Sequence, residues 1–238
     1  MDTASATPSD PNDLRSIANP IHTLILIAGE GVIVVLAALR GDQMRAAAEL
    51  HRIRLYERTI ISEWLGFAFV LFGVWLAGSP LATVVGERWR SVKAVLQEIG
   101  IGVAFSVVSV VVLSVLQPHA AGDANRTVKF LLPQTGAEMA VWVLLSLSAG
   151  ICEETMYRGY LQRQFMAWTK SVPAGVVLSG IAFGLAHAYQ GWRMVVVIAV
   201  DGMLLGVLAR WRRTVRPGMV AHAFKDSVAP LLIRAMTQ

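Results

Sequence analysis

Two adjacent glutamates, Glu153 and Glu154, follow the apolar run 137–152, and Arg158 comes four residues after the second. Charged groups at the end of an apolar segment are costly unless they lie in water or pair with each other. On a helix Glu154 and Arg158 share a face, so we expect them to pair. Glu153 lies about 100° further round the helix and would point into the bundle. A carboxyl group there, away from a cation, suits a general base or acid.

Two further motifs place histidines in apolar segments near the C-terminal end of the chain. In FGLAH, Phe183 precedes His187 by four residues, and in HAFKD, His222 precedes Asp226 by four. His222 and Asp226 share a helical face, and Lys225 lies off it. Each motif alone also fits a plainer interpretation, because a histidine near a helix end is often interfacial and an i,i+4 polar pair often lines a wet face.

The three motifs together indicate a functional site more strongly than any one of them alone. Glu153, His187, His222 and Asp226 lie in or beside three different hydrophobic segments, so helix packing can bring them together. Ionisable residues inside a membrane normally face the bundle interior or a water-filled cavity, and they mark functional sites. The set supplies a base, two imidazoles and a further polar group, which suffice to activate one water and to stabilise an oxyanion.

The elements that position these residues are predicted to be membrane spans. The chain has 238 residues, of which 55% are hydrophobic and 16% charged, and its mean hydropathy is +0.56. Soluble domains carry about a quarter charged residues. Residues 64–86 and 99–116 contain no charged side chain, and a helix needs about 20 apolar residues to cross a bilayer. The sequence therefore predicts a polytopic membrane protein.

The pattern predicts an all-α bundle of about seven spans, with six to eight as the range, and an active site in a membrane-embedded cavity. The predicted spans are 21–39, 64–86, 99–116, 137–152, 171–189, 194–209 and 217–233. Three regions follow: a flexible polar tail over 1–20, N-terminal transmembrane helices and connectors over 21–136, and a core over 137–238. We expect 40–59 to be an interfacial helical connector and 117–137 a polar loop. Five glycines are predicted to allow close helix approach: Gly175, Gly180, Gly184, Gly202 and Gly206.

The net charge of +5 does not indicate a nucleic-acid partner. The basic residues cluster beside the hydrophobic spans, as expected for residues that flank span ends. These clusters are Arg52, Arg54 and Arg58; Arg88, Arg90 and Lys93; and Arg210, Arg212, Arg213 and Arg216. Anionic lipid head groups are sufficient partners for them.

The three motifs in this order, E-E-x-x-x-R, F-x-x-x-H and H-x-x-x-D, resemble the CAAX protease and bacteriocin-processing family, also called Abi. This family includes the type II CAAX prenyl endopeptidases, which are intramembrane glutamic proteases. The resemblance covers roughly 138–230. It implies a catalytic set of Glu153, His187, His222 and Asp226. In this set Glu153 is the general base that activates water, assisted by His187, and His222 and Asp226 stabilise the oxyanion.

The resemblance also implies that Glu154 and Arg158 support the site through their pairing and that Phe183 lines the substrate cavity. The prenyl proteases of this group usually have Asn where this chain has Asp226. An Asn amide can donate a hydrogen bond to an oxyanion, whereas an ionised Asp cannot. Asp226 is therefore either held protonated by its surroundings, or it orients His222 instead.

We expect a multi-pass protein of the prokaryotic inner membrane that hydrolyses peptide bonds of membrane-associated protein or peptide substrates. Neither a cofactor nor a metal is expected, and the lipid bilayer is its other partner. Three alternatives stay open. A non-catalytic scaffold or immunity protein is one. A zinc protease is another, because Glu and two His can bind zinc, although no H-E-x-x-H pair exists. The third is a proton-coupled transporter that uses Glu30, Asp201 and the histidines.

Two further expectations concern single residues. The lone cysteine, Cys152, excludes an intrachain disulfide and is expected to be a small packing residue. Glu30 and Asp201 are expected either to support the site or to face a water-filled cleft.

Overall fold

The structure, a computed structural model, describes residues 14–115 and 129–237. Most of the predicted tail over 1–20 and most of the predicted loop over 117–137 lie outside these ranges. The described residues are almost entirely helical and contain no strand. Five helical stretches are long and apolar enough to cross a membrane: Pro20–Leu39, Leu50–Leu76, Val92–Ser114, Gly136–Thr169 and Trp192–Arg212. The predicted all-α polytopic bundle is confirmed.

The α-helices of the described ranges are numbered in chain order. They are α1 Pro20–Leu39, α2 Gly41–Leu76, α3 Ala82–Val85, α4 Val92–Ser114, α5 Gly136–Glu153, α6 Gln162–Thr169, α7 Val172–Ala186, α8 Trp192–Arg212 and α9 Arg216–Thr237. A π-helix, Glu154–Leu161, joins α5 to α6. Short 3₁₀ turns cover Lys129–Leu131 and Ala188–Gln190.

The second helix differs from the prediction at both ends. It begins at Gly41, so the expected connector over 40–59 is the first part of the spanning helix, interrupted by non-helical backbone angles at His51. It ends at Leu76, ten residues before the predicted end at residue 86. Gly78 adopts a φ of +68°, in the left-handed region, and Pro80 follows it. Both residues favour termination of a helix.

The helix that carries the paired glutamates is longer than predicted. Thr135 and Glu138 form a capping box at its start, which satisfies exposed backbone N–H groups of the first turn. The helical path then runs from Gly136 to Thr169, and Lys170, with a φ of 55°, ends it. The predicted apolar span stopped at residue 152, and the helix was expected to continue through Glu153 and Glu154, as it does. In the structure those charges lie inside the bundle.

Helices α2 and α5 lie side by side and run in the same direction. Arg52 contacts Glu138 at 3.1 Å between Nη1 and Oε1. Further along both helices, the Tyr56 and Trp142 rings meet edge to face with centroids 5.4 Å apart. Residues later in α2 contact residues later in α5, so the two helices are parallel.

Helices α5 and α9 pack in the opposite sense. The Trp142 indole N–H donates to the Asp226 carbonyl at 2.8 Å. Later on α5, a Cβ atom built on Gly150 would lie 2.6 Å from the Met219 carbonyl and 2.9 Å from the Ala223 Cβ. Residues later in α5 therefore contact residues earlier in α9. This antiparallel packing places the motif of α9 beside the end of α5.

The glycine prediction is confirmed, because a Cβ at any of the five positions would meet a neighbouring atom at 3.0 Å or less. Two of these glycines lie between the antiparallel helices α7 and α8. A Cβ on Gly180 would lie 2.8 Å from the Ala199 carbonyl, and one on Gly184 would lie 2.5 Å from the Val195 carbonyl. Such distances require a glycine at these positions, because a backbone carbonyl cannot move aside easily.

Gly184→Ala should lower the free energy of unfolding by about 1–3 kcal/mol, because the new methyl group overpacks the α7–α8 contact. Thermal unfolding in detergent micelles measures this change. Gly100→Ala is the matched control, because nothing lies within 4 Å of a Cβ at that helical position. Equal melting temperatures for the two variants would contradict the close approach.

Candidate active site

The site begins where the long helix widens from α to π geometry at Glu154. All eight residues of the π-helix, Glu154–Leu161, are buried. The Ser179 hydroxyl of α7 donates to the Tyr157 carbonyl at 2.7 Å. π-Helical turns are rare and are found frequently at functional sites. Here the π-helix turns one carboxylate and one guanidinium into the bundle.

The predicted pairing of Glu154 with Arg158 is confirmed. Nη1 of Arg158 lies 2.9 Å from Oε1 of Glu154, and neither side chain is exposed. The Arg158 guanidinium also lies over the Phe183 ring, 4.0 Å from its centroid. Oε1 of Glu154 accepts a second hydrogen bond from Nδ1 of His222 at 3.1 Å. Glu154 is therefore held by two donors from different helices.

The other ring nitrogen of His222 lies between two carboxylates. Its Nε2 is 3.4 Å from Oδ2 of Asp226 and 3.8 Å from Oε2 of Glu153. The His222 side chain is 8% exposed, that of Glu153 20% and that of Asp226 43%. The imidazole is thus almost buried, while the side chains of the two acidic residues near its Nε2 are partly exposed. His222 contacts every acidic residue of the three motifs.

Phe183 is in contact with both histidines. Its ring centroid lies 4.8 Å from that of His187 and 5.7 Å from that of His222. His187 ends α7, and its Nδ1 is bonded to the Phe183 carbonyl at 2.9 Å. Within the described part of the chain, His187 forms neither a hydrogen bond nor an ion pair with Glu153. All seven predicted site residues therefore meet in one cluster, with His187 at its edge.

A family model described as Type II CAAX prenyl endopeptidase Rce1-like matches residues 135–228. This stretch, less than half of the chain, is similar to the Rce1-like family. No curated protein and no solved structure matches the chain. The matched stretch, called the Rce1-like region below, runs from the capping box of α5 into α9 and contains every motif residue. The five apolar spans indicate an integral membrane protein, and the family match supports a protease in general.

The Rce1-like region also contains an ion pair that the sequence analysis did not find. Lys225 of α9 lies 2.5 Å from Oδ2 of Asp201 in α8, and both side chains are mostly buried. Asp201 therefore ties α8 to the helix that carries His222. Lys225 was recognised only as lying off the face of His222 and Asp226. A cation in the middle of an apolar helix signals a partner, but the partner can be identified only from the fold.

Two acidic residues outside the Rce1-like region also approach the site. The Tyr157 hydroxyl donates to Oε2 of Glu30 in α1 at 3.5 Å. Glu63 of α2 interacts electrostatically with Glu153 and His222. Glu30 was expected either to support the site or to face a water-filled cleft, and Glu63 was not among the predicted residues. The place of Glu63 depends on the packing of α2 against α5, which the Tyr56–Trp142 contact shows and the spacing of residues along the chain does not.

The 3₁₀ turn after His187 closes one side of the cluster. The His187 and Tyr189 ring centroids lie 6.1 Å apart. The Gln190 amide donates to the Tyr189 hydroxyl at 3.0 Å. Burial, the largest cause, raises the pKa of Tyr189 to about 12, so its phenol keeps its proton and remains a hydrogen-bond donor.

The donors that could hold a metal are the carboxylates and imidazoles of the same cluster. In the described ranges, no three His, Cys, Asp or Glu side chains are arranged to hold a metal ion. Cys152 is a free thiol and is fully buried. It lies in α5, directly before Glu153.

Proposed function

We propose that the chain is an intramembrane endopeptidase that hydrolyses peptide bonds of membrane-associated proteins or peptides by means of a glutamate-activated water. The observation that carries this proposal is the contact of Glu153, Glu154 and Asp226 with the one imidazole of His222. A base next to a fixed imidazole is the minimum needed for water-mediated acyl transfer. The Rce1-like match supports the same reaction class.

In the proposed reaction Glu153 takes a proton from water, and the resulting hydroxide attacks the scissile carbonyl carbon. The carbonyl oxygen becomes an anion. Glu153 then returns its proton to the leaving amine as the C–N bond breaks. Oε2 of Glu153 is buried and has no hydrogen-bond partner among the described residues. The Glu153 carboxylate can therefore accept a proton from the attacking water.

His222 is the proposed oxyanion stabiliser. A carboxylate can only accept, so Nδ1 of His222 donates to Glu154. The proton on an imidazolium Nε2 would then point toward the space between Glu153 and Asp226. Oδ2 of Asp226 lies 3.4 Å from that nitrogen, which supports its role in orienting His222 rather than as a second donor. Preorganised donors of this kind typically contribute about 10²–10³ in rate.

His187 is proposed to act on the bound water rather than on Glu153 directly. Its Nδ1 is engaged by the Phe183 carbonyl, which leaves Nε2 for a water or a substrate group. Phe183 is proposed to line the substrate cavity, and its ring contacts with both imidazoles support this role. Glu154 and Arg158 hold His222 in place through their buried pair.

The reaction is proposed to take place in a prokaryotic inner membrane, with substrate entering sideways from the bilayer. Comparing membrane peptides from cells that express the wild type or Glu153→Gln tests the function and identifies the substrate. We expect cleaved peptides that are present only with the wild type. Glu57→Gln, an exposed acid-to-amide change on α2, is the control and should give the wild-type pattern.

The same experiment separates the alternatives. A scaffold or immunity protein, or a transporter, would give identical peptides with the wild type and Glu153→Gln. A zinc protease would lose cleavage when the purified wild type is treated with a chelator, whereas the proposed reaction would continue.

A further inference from the structure

Glu63 lies on the face of α2 that packs against α5. On this face the Tyr56 ring meets the Trp142 ring, and a Cβ on Gly66 would lie 3.1 Å from Met156. Tyr56, Glu63 and Gly66 follow one another at intervals of seven and three residues, which is the spacing of one helical face. Because α2 and α5 are parallel, Glu63 lies between these two contacts. It therefore faces the last turn of α5, where Glu153 lies.

The groups that act on Glu63 come from three other elements. They are Ser148, Cys152 and Glu153 of α5, His222 and Asp226 of α9, and Tyr189 of the 3₁₀ turn; the Ser148 hydroxyl is a neutral donor. Glu30 of α1 acts on Glu153 as well. No arginine or lysine is among these groups, and His222 supplies the one imidazole. Glu63 and Glu153 therefore share an environment in which acidic groups outnumber basic ones.

Two carboxylate oxygens, Oε2 of Glu63 and Oε2 of Glu153, both need a hydrogen-bond donor. Both oxygens are buried, and neither has a hydrogen-bond partner in the described part of the chain. A buried acceptor without a donor is costly, and two neighbouring carboxylates disfavour each other's charge. A single proton held between the two groups would relieve both costs.

We propose that Glu63 shares a proton with Glu153 and thereby positions the base of the active site. The inference rests on the proposed function, in which Glu153 activates water. In the singly protonated pair, the Glu63 carboxyl donates to one Glu153 oxygen and leaves the other for the attacking water. When the pair loses its proton, two carboxylates face each other and this geometry is lost. Glu63 lies outside the Rce1-like region and thus extends the site to an N-terminal helix.

The first test compares the pH dependence of cleavage by purified, full-length wild type, Glu63→Gln and Glu63→Leu. Gln keeps an N–H donor but cannot titrate, so Glu63→Gln should stay within about tenfold of the wild-type rate. The pH at which its cleavage rate falls on the alkaline side, the alkaline limb of the profile, should rise by about one unit or more, or this fall should disappear. Glu63→Leu removes the donor and should lower the rate about tenfold to a hundredfold. Glu57→Gln, on the exposed face of α2, should reproduce the wild-type profile.

A wild-type pH profile for Glu63→Gln, or a wild-type rate for Glu63→Leu, would overturn the proposal. A purely structural role would lower the rate without moving the alkaline limb, and would overturn it too. Melting temperatures of all variants show whether a lower rate reflects loss of the fold.

The second test does not depend on proteolysis. Infrared difference spectra at neutral pH should show a carboxylic acid band in the wild type that Glu63→Gln removes and Glu153→Gln shifts. If this band behaves as expected but no cleavage is found, the shared proton stands and the proposed function fails. If cleavage is found but neither variant alters the band, the shared proton is rejected and the proposed function stands.

Discussion

Glu153→Gln should lower the single-turnover rate of cleavage about 10²–10⁴-fold, the usual contribution of a positioned base. Gln has nearly the same shape as Glu but cannot accept a proton from water. Oε2 of Glu153 has no hydrogen-bond partner in the described part of the chain, and its nearest ion-pair contact is His222 at 3.8 Å. The replacement therefore removes chemistry and very little packing. Cleavage of a membrane peptide by purified protein measures the effect.

Thermal unfolding provides the control for this variant. The melting temperature should stay at the wild-type value, because no strong contact is lost. Glu57→Gln makes the same chemical change at an exposed position and should retain the full rate. Cleavage by Glu153→Gln at the wild-type rate would reject Glu153 as the base.

The sequence predicts the pairs that lie within one helix. Glu154 with Arg158 and His222 with Asp226 are each four residues apart, so helical geometry alone brings them together. Both contacts are present. Helix content and membrane insertion follow from hydropathy in the same way. Local spacing and local composition were sufficient for these predictions.

Contacts between helices could not be predicted, because they depend on how each helix is rotated and on its depth in the bundle. The hydrogen bond from His222 to Glu154 joins α9 to the π-helix, and the Lys225–Asp201 pair joins α9 to α8. Phe183, which contacts both imidazoles, could be assigned to the cavity only through the family resemblance. The catalytic role of each residue remains a prediction, because it also depends on contacts between helices.

The fourth predicted span, 137–152, covers only part of its helix, because hydropathy treats every charge as a cost. Glu154 and Arg158 neutralise each other inside the bundle, so the helix continues to Thr169. A window of hydropathy contains no information about such pairing. The proposed division at 136/137 follows composition alone and stays a prediction.

Arg158→Met should give the largest loss of stability among single changes at the site, about 3–5 kcal/mol, because it leaves the Glu154 carboxylate buried without its cation. Both side chains of the pair are fully buried. The variant also loses the contact of the guanidinium with the Phe183 ring. Unfolding in a denaturing detergent titration measures the change. Arg158→Lys keeps the charge but not the planar group, so it should fall between Arg158→Met and the wild type.

The double variant Glu154→Gln/Arg158→Met separates the loss of the pair from the burial of a lone charge. Replacing both partners removes the uncompensated carboxylate, so the double variant should recover much of the stability that Arg158→Met loses. Its activity should nevertheless stay low, because His222 loses the carboxylate that holds Nδ1. Recovered stability without recovered cleavage would assign the pair to positioning of His222. Stability of Arg158→Met equal to that of the wild type would show that Glu154 is not buried as a charge.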